Sequence, residues 1–181
     1  MTRILLVSGS TRAGSTNTAA LRTAAALPPP GVEAVLHDAL AALPAFNPDD
    51  DVEPLPAPVA ALRAALAQAD AVVFCTPEYA GALPGSFKNL LDWTVGGTEM
   101  NGKPVAWINV AMAGRGEGAH AELRTVLGYV TAALLADCCV RIGVGREVVG
   151  PDGLVTDAAI RAQLTQLLAD VATRVRATTP G

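Results

Sequence analysis

Three segments of this 181-residue chain carry the residue types that could do chemistry. The first runs Ser8-Gly9-Ser10-Thr11-Arg12-Ala13-Gly14-Ser15-Thr16-Asn17-Thr18. It offers free backbone N–H groups, a row of hydroxyls and one guanidinium. Set at a turn from a strand into a helix, it would add the positive end of a helix dipole, and that combination suits a phosphate monoester. A polar loop that only caps a helix is the simpler reading, but a cap needs one such residue and this loop has many. The second segment begins Thr76-Pro77-Glu78-Tyr79-Ala80-Gly81. Pro77 stiffens the exit from a strand, Tyr79 presents a ring, and Gly81 and Gly85 let backbone come close to something flat, such as a planar ring. In the third, Ala113-Gly114-Arg115-Gly116-Glu117-Gly118, alternate glycines again permit close approach.

Other chemistries fail on residue identity. Gly9 and Gly14 have the spacing of a nucleotide-triphosphate loop, but Ser15 stands where its lysine belongs; Thr11 occupies the second glycine of a dinucleotide fingerprint. There is no Gly-x-Ser-x-Gly elbow, and the sixth residue after Cys75, Cys138 and Cys139 is Gly81, Val144 and Gly145, so no phosphatase-type Cys-x5-Arg loop exists. The cysteine spacing fits neither a disulfide framework nor a zinc set, and the run Asp49-Asp50-Asp51 lacks a metal-ligand pattern and reads as a solvated loop. Cys75 reads as a small buried hydrophobe, and His120 as a surface or interface residue. No protein nucleophile stands out.

The elements that must position these loops alternate. Short apolar runs at 3–7, 32–37, 71–76, 104–110 and 140–144 read as strands. Helical patterns fall at 18–27, 59–68, 85–93, from near 118 with a stripe through Leu123, Val126, Leu127, Val130 and Leu134, and finally through Ile160, Leu164, Leu167, Leu168, Val171 and Val175. Strands apolar throughout and joined by helices indicate a parallel sheet covered on both faces. Five of them match an α/β, flavodoxin-like, three-layer doubly wound five-stranded parallel sheet of order 2-1-3-4-5, in one domain spanning 1–181. In that order ligands bind beyond the strand C-termini, where the three segments lie.

Composition excludes several partners. Apolar residues make up 51% of the chain, enough for one buried core, and the net charge is −4. The sequence pI near 5.1 and the lack of a basic run leave no electrostatic footprint for nucleic acid. No apolar stretch reaches the ~18–20 residues of a membrane span. Ile4–Val7 is too short for a secretory h-region, so the expected setting is the cytoplasm.

Gly9–Asn17 followed some sixty residues later by Pro77–Trp93 (PEYAGALPGSFKNLLDW) resembles the NADPH-dependent FMN reductase family, which includes quinone, azo-dye and chromate reductases. The resemblance spans roughly residues 3 to 175. It implies that Ser10, Arg12, Ser15, Thr16 and Asn17 hold an FMN phosphate. It also implies that Pro77, Glu78, Tyr79, Ala80 and Gly81 lie along the isoalloxazine ring, and that Gly114 and Gly116 approach its pyrimidine end. Glu78 could polarise the ring edge or act only through its backbone. The implied activity is hydride transfer from NADPH or NADH through FMN to a small acceptor (quinone, azo compound, metal oxyanion or flavin) by ping-pong turnover, in a homodimer or homotetramer; no catalytic side chain and no metal is implied. An FMN-binding electron carrier between proteins is the alternative. A scaffold that has lost its cofactor is a third, against which the intact first loop argues. The family often has Asn where this chain has Ala80, and Ser where it has Ala82. Lys88, Asn89, Asp92 and Trp93 read as a structural or dimer-contact set.

Overall fold

The computed structural model describes residues 1–178. Strands β1 (Thr2–Ser8), β2 (Val32–His37), β3 (Ala71–Cys75) and β4 (Pro104–Asn109) are parallel and lie in the order β2-β1-β3-β4. The fifth position beside β4 is shared by two short parallel segments, β5 (Ala133–Leu134) against its start and β6 (Val140–Arg141) against its end. The sheet is therefore the flavodoxin-like 2-1-3-4-5 arrangement with a divided last lane.

The strands are apolar on both faces because both faces are covered. Ile4, Leu6, Val73, Cys75, Ala106 and Ile108 point one way, onto α1 (Thr16–Ala26) and α5 (Ala158–Thr178). Their neighbours Leu5, Val7, Val72, Phe74, Val105 and Trp107 point the other way, onto α2 (Ala57–Gln68), α3 (Gly85–Asp92) and α4 (Glu117–Tyr129). Side chains alternate across a pleated strand, so two cores share one run of sequence.

The divided lane departs from the sequence pattern. The stripe through Val130 and Leu134 suggested one continuous helix, but α4 stops at Tyr129. Thr131 takes a left-handed φ of 56°, and Ala132 N–H closes on the Leu127 carbonyl at 3.0 Å. Leu134 thus reaches the core from a strand; an apolar residue at helical spacing looks the same from either element. After a 3-10 turn at Ala136–Cys138 the chain rejoins β4, and the Ile142 and Val144 N–H groups continue along it to the Asn109 and Val110 carbonyls, at 3.0 and 2.9 Å.

Helix α3 anchors the long connection before α2. Asn89 accepts from Phe46 N–H at 2.7 Å and donates to the Pro44 carbonyl, which also accepts from the buried Trp93 indole at 2.9 Å. Lys88 and Asp92 pair at 2.6 Å one turn apart. Asn89 and Trp93 are thus structural in this chain. Of the acidic run, Asp51 is not solvated as the sequence suggested: it pairs with Arg63 at 2.7 Å, both side chains being largely buried, because Arg63 also donates to the Trp93 carbonyl and brings its charge inward.

Leu168 is fully buried between α5 and the sheet. Truncation in Leu168→Ala removes burial and leaves a cavity, and is expected to lower unfolding free energy by about 2–5 kcal/mol in a urea titration.

Candidate functional site

The loops at the C-terminal ends of β1, β3 and β4 meet at one edge of the sheet, and close packing decides how. Gly9 N–H donates to the Cys75 carbonyl at 2.8 Å. A Cβ on Gly9 would overlap the Thr76 hydroxyl and stand 3.0 Å from the Phe87 ring, so the first loop seats against the third only because residue 9 has no side chain. The Ser8 and Thr18 hydroxyls bond at 2.8 Å, closing the loop onto the first turn of α1. Ser10 is buried, and its hydroxyl accepts from Arg12 N–H at 3.3 Å.

Ser15 is the N-cap of α1, and its side chain makes no capping hydrogen bond. Its hydroxyl and the first N–H groups of the helix therefore remain available to an anion. Asn17, one turn in, is buried, and its side-chain oxygen accepts from the Cys75 thiol at 3.3 Å.

The third loop is a tight hairpin. Tyr79 and Ala82 exchange both backbone hydrogen bonds, at 3.0 and 3.1 Å, around Ala80 and Gly81, whose φ values are 53° and 78°. Ala80 is thus a non-glycine residue in left-handed backbone, at a position where asparagine is tolerated better. Tyr79 is exposed. Glu78 answers the question the sequence left open: its carboxylate accepts from Ala119 N–H at 3.0 Å, capping α4. A Cβ on Gly118 would run into the Gly81 carbonyl, so this glycine lets the hairpin lie against the helix. Glu122, a turn further along α4, accepts from Leu83 N–H at 2.6 Å.

The fourth loop is shaped by residues the motif reading passed over. Asn109, buried at the end of β4, accepts from Ala111 N–H at 3.0 Å and donates to the Arg115 carbonyl at 3.1 Å. Gly116 has φ 81°, and a Cβ there would stand 2.7 Å from the Asn109 side-chain oxygen. Gly114, with φ 77°, has open space around it and is needed only for its backbone. Arg141 from β6 donates to the Ala111, Met112 and Arg115 carbonyls at 2.8, 3.0 and 2.9 Å and pairs with Glu117. Asn109 had a signal, as the residue leaving a central strand. Arg141 had none, because its partners lie 24–30 residues away in sequence.

Two adjoining cavities result, of about 340 and 460 Å³. Ser10, Arg12, Ser15, Thr16, Asn17, Pro77 and Tyr79 line the first, together with Arg115 and Arg146. Glu78 and Gly116 line the second, and both cavities share Thr16, Asn17, Pro77 and Arg115. Ala80, Gly81 and Gly114 line neither; they form the tips of their turns. The combined space suits a mononucleotide, and no carboxylate lines the end beside α1, where a phosphate would sit.

His120 corrects the sequence reading. It is buried, not on the surface, because the first turn of α4 packs it against Trp107, with ring centroids 5.7 Å apart. Its Nδ1 lies 2.6 Å from the Gly116 carbonyl. Burial holds its imidazole below the ordinary histidine value, against the opposing pull of Gly116 and Glu117. Burial likewise pushes the Cys75 and Cys138 thiols up and takes Cys139 to about 11, so all three are protonated and unreactive at neutral pH.

A vacant-hydroxyl helix N-terminus opening onto a cleft at the switch point of a 2-1-3-4-5 sheet defines a mononucleotide-binding protein of the flavodoxin type. Residues 2–146 match the family described as NADPH-dependent FMN reductase. The chain is 35% identical to an NAD(P)H-dependent FMN reductase of Pseudomonas aeruginosa over 170 residues, 92% of this chain and 91% of that one. It is 33% identical to a quinone reductase of Escherichia coli over 138 residues, 74% and 73% of the two. Among solved structures it superposes with TM-score 0.83 on FerB, a flavoenzyme NAD(P)H:(acceptor) oxidoreductase of Paracoccus denitrificans, at 26% identity and 98% coverage of both chains. The chain belongs to the NADPH-dependent FMN reductase family. It is an oxidoreductase with FMN as cofactor and NAD(P)H as electron donor.

Two outcomes test this geometry. Ala80→Asn relieves left-handed strain and is expected to raise stability by about 0.5–1 kcal/mol, read as a higher Tm. For His120, the unfolded imidazole, near 6.5, protonates before the folded one. Its contribution is therefore full above that value, falls as pH drops through about 6.5 and levels off once the folded imidazole also protonates. The urea midpoint should fall from pH 7.5 to 5.5, and less steeply in His120→Asn; an equal slope in both would exclude His120 as a source.

Proposed function

We propose that the chain reduces small acceptors, quinones foremost, with electrons from NAD(P)H. Ser10, Arg12, Ser15, Thr16 and Asn17 hold the FMN phosphate, and the ring lies between the Pro77–Gly81 hairpin and the loop carrying Gly114 and Gly116. The observation that carries this reading is the continuity of a carboxylate-free cavity at the α1 N-terminus with the cleft between those two loops. FMN bound there would supply the hydride chemistry between a nicotinamide and a small acceptor.

The chain's own residues bind and orient. The α1 dipole, the Ser15 hydroxyl and the Arg12 guanidinium offset the charge of a phosphate monoester. Pro77 and the Tyr79–Ala82 bridge keep the hairpin rigid, so little conformational freedom is lost on binding. Glu78 contributes through the backbone it positions, since its carboxylate is committed to α4. Azo compounds, metal oxyanions and free flavin share with quinones the capacity to accept electrons over an open ring face. We place the protein in the cytoplasm as a homodimer or homotetramer; among the described residues no helix is long and apolar enough to cross a membrane, and the exposed Tyr129, Val95 and Met112 offer contact surface.

Purified protein titrated with FMN should turn yellow, bleach with NADPH or NADH under anaerobic conditions, and give parallel double-reciprocal lines with benzoquinone. Protein that takes up no FMN overturns the reading; bleaching by dithionite alone points instead to an electron carrier. Arg12→Ala is expected to weaken FMN binding about ten- to 150-fold, the loss of one charged hydrogen bond.

A further inference from the structure

Gly116 is buried at the edge of the second cavity, and its N–H donates to nothing among the described residues. A buried N–H needs an acceptor, so where this one points decides what it can serve. Its direction is fixed from both sides. The Arg115–Gly116 peptide is trans, so the N–H points opposite to the Arg115 carbonyl. That carbonyl accepts from the Asn109 amide at 3.1 Å and from Arg141 Nη1 at 2.9 Å. On the other side, the Gly116 carbonyl accepts from His120 N–H at 3.3 Å, and His120 Nδ1 lies 2.6 Å from it.

Arg141 pulls from behind the loop. With Trp107, His120 and Arg124 it lines a third cavity, of about 320 Å³, and it lines neither cavity of the cleft. The same nitrogen takes the Ala111 and Met112 carbonyls at 2.8 and 3.0 Å. Three carbonyl dipoles of loop four thus turn their negative ends toward one guanidinium and away from the cleft, and the Gly116 N–H is left facing it. Glu117 pairs with the same arginine, but its side chain is 72% exposed and its charge is screened by water.

We propose that Arg141 is a positioning residue for electron transfer: through the Arg115 carbonyl it keeps the Gly116 N–H aimed at the bound ring, and so raises the midpoint potential of the FMN. The proposal rests on the flavin reading above and deepens it. Hydride adds one negative charge to a neutral ring, so an aimed donor binds the reduced ring more tightly than the oxidised one. That difference in affinity is a shift in potential. Arg141 lines no part of the cleft, so it acts only through the loop it holds.

The test compares wild type, Arg141→Met, Arg141→Lys and Glu117→Gln, with two readouts. One is the midpoint potential of bound FMN, from equilibrium titration against a reference dye. The other is hydrogen exchange at the Gly116 amide, read by NMR with and without FMN. In the wild type FMN should slow that exchange at least about tenfold, as expected of a donor that gains a partner. In Arg141→Met the affinity for reduced over oxidised FMN should fall about three- to thirtyfold, which lowers the potential by about 15–45 mV at ~30 mV per tenfold. Protection of the Gly116 amide should fall with it. Arg141→Lys keeps a charged donor at the same place and should recover part of both effects; it also carries the test should Arg141→Met not fold. Glu117→Gln leaves the three carbonyl bonds in place and should not lower the potential. An unchanged potential in Arg141→Met and Arg141→Lys overturns the proposal and leaves the flavin reading intact. A lowered potential with Gly116 protected as in the wild type also overturns it, because Arg141 then acts by its charge alone. An equal fall in Glu117→Gln overturns it as a general loosening of the loop. A wild-type protein that takes up no FMN overturns both readings.

Discussion

The site depends on a side chain that is missing. β1 and β3 are neighbours in the sheet, and the loops leaving them must part to opposite faces, one into α1 and the other toward α3. Gly9 is where they part. Its N–H still bonds to the Cys75 carbonyl, so the strands stay paired to their last residue, yet Thr76 occupies the space a Cβ would need. Any larger residue at 9 would push loop one off loop three, moving Ser10 and the α1 N-terminus away from Pro77. The Cys75 thiol then reaches Asn17 across the same junction and sets the direction of its amide.

A second set of contacts ties the other wall of the cleft to α4. Glu78 caps that helix, Glu122 holds Leu83, and Gly118 lets the hairpin carbonyl come within contact of the helix backbone. On the far side, Asn109 and Arg141 gather the carbonyls of the fourth loop, whose glycines would otherwise leave it loose. Glu78, Glu122, Asn109 and Arg141 are thus spent on holding backbone in place around the cleft. A site built this way presents preorganised main-chain groups and leaves the reactive chemistry to a bound group. The protonated thiols and the buried, neutral-leaning His120 fit that division of labour.

The arginines that are not so used carry the site's charge. Arg141 and Arg63 are satisfied by carbonyls and carboxylates and act as struts. Among the described residues Arg12, Arg115 and Arg146 have no such partners, and all three line one cavity. The distinction between a strut and a ligand-binding arginine lies in what each guanidinium already touches, not in residue type.

The sequence by itself determined the layers, the strand order and the three loops that meet at the cleft. Apolar runs must be buried on both faces, and a βα alternation with five strands leaves few right-handed ways to pair them. The glycines and hydroxyls of loop one were equally legible, because each does its work within a few residues of its place in the chain. Tertiary structure alone decided the partners. That Glu78 caps a helix forty residues on, that Leu134 belongs to a strand and not to α4, that His120 is buried under Trp107, and that Arg141 gathers the fourth loop all follow from contacts between distant segments. No local pattern encodes such contacts, since a carboxylate or guanidinium reads the same in sequence whether it faces water, a helix end or a phosphate.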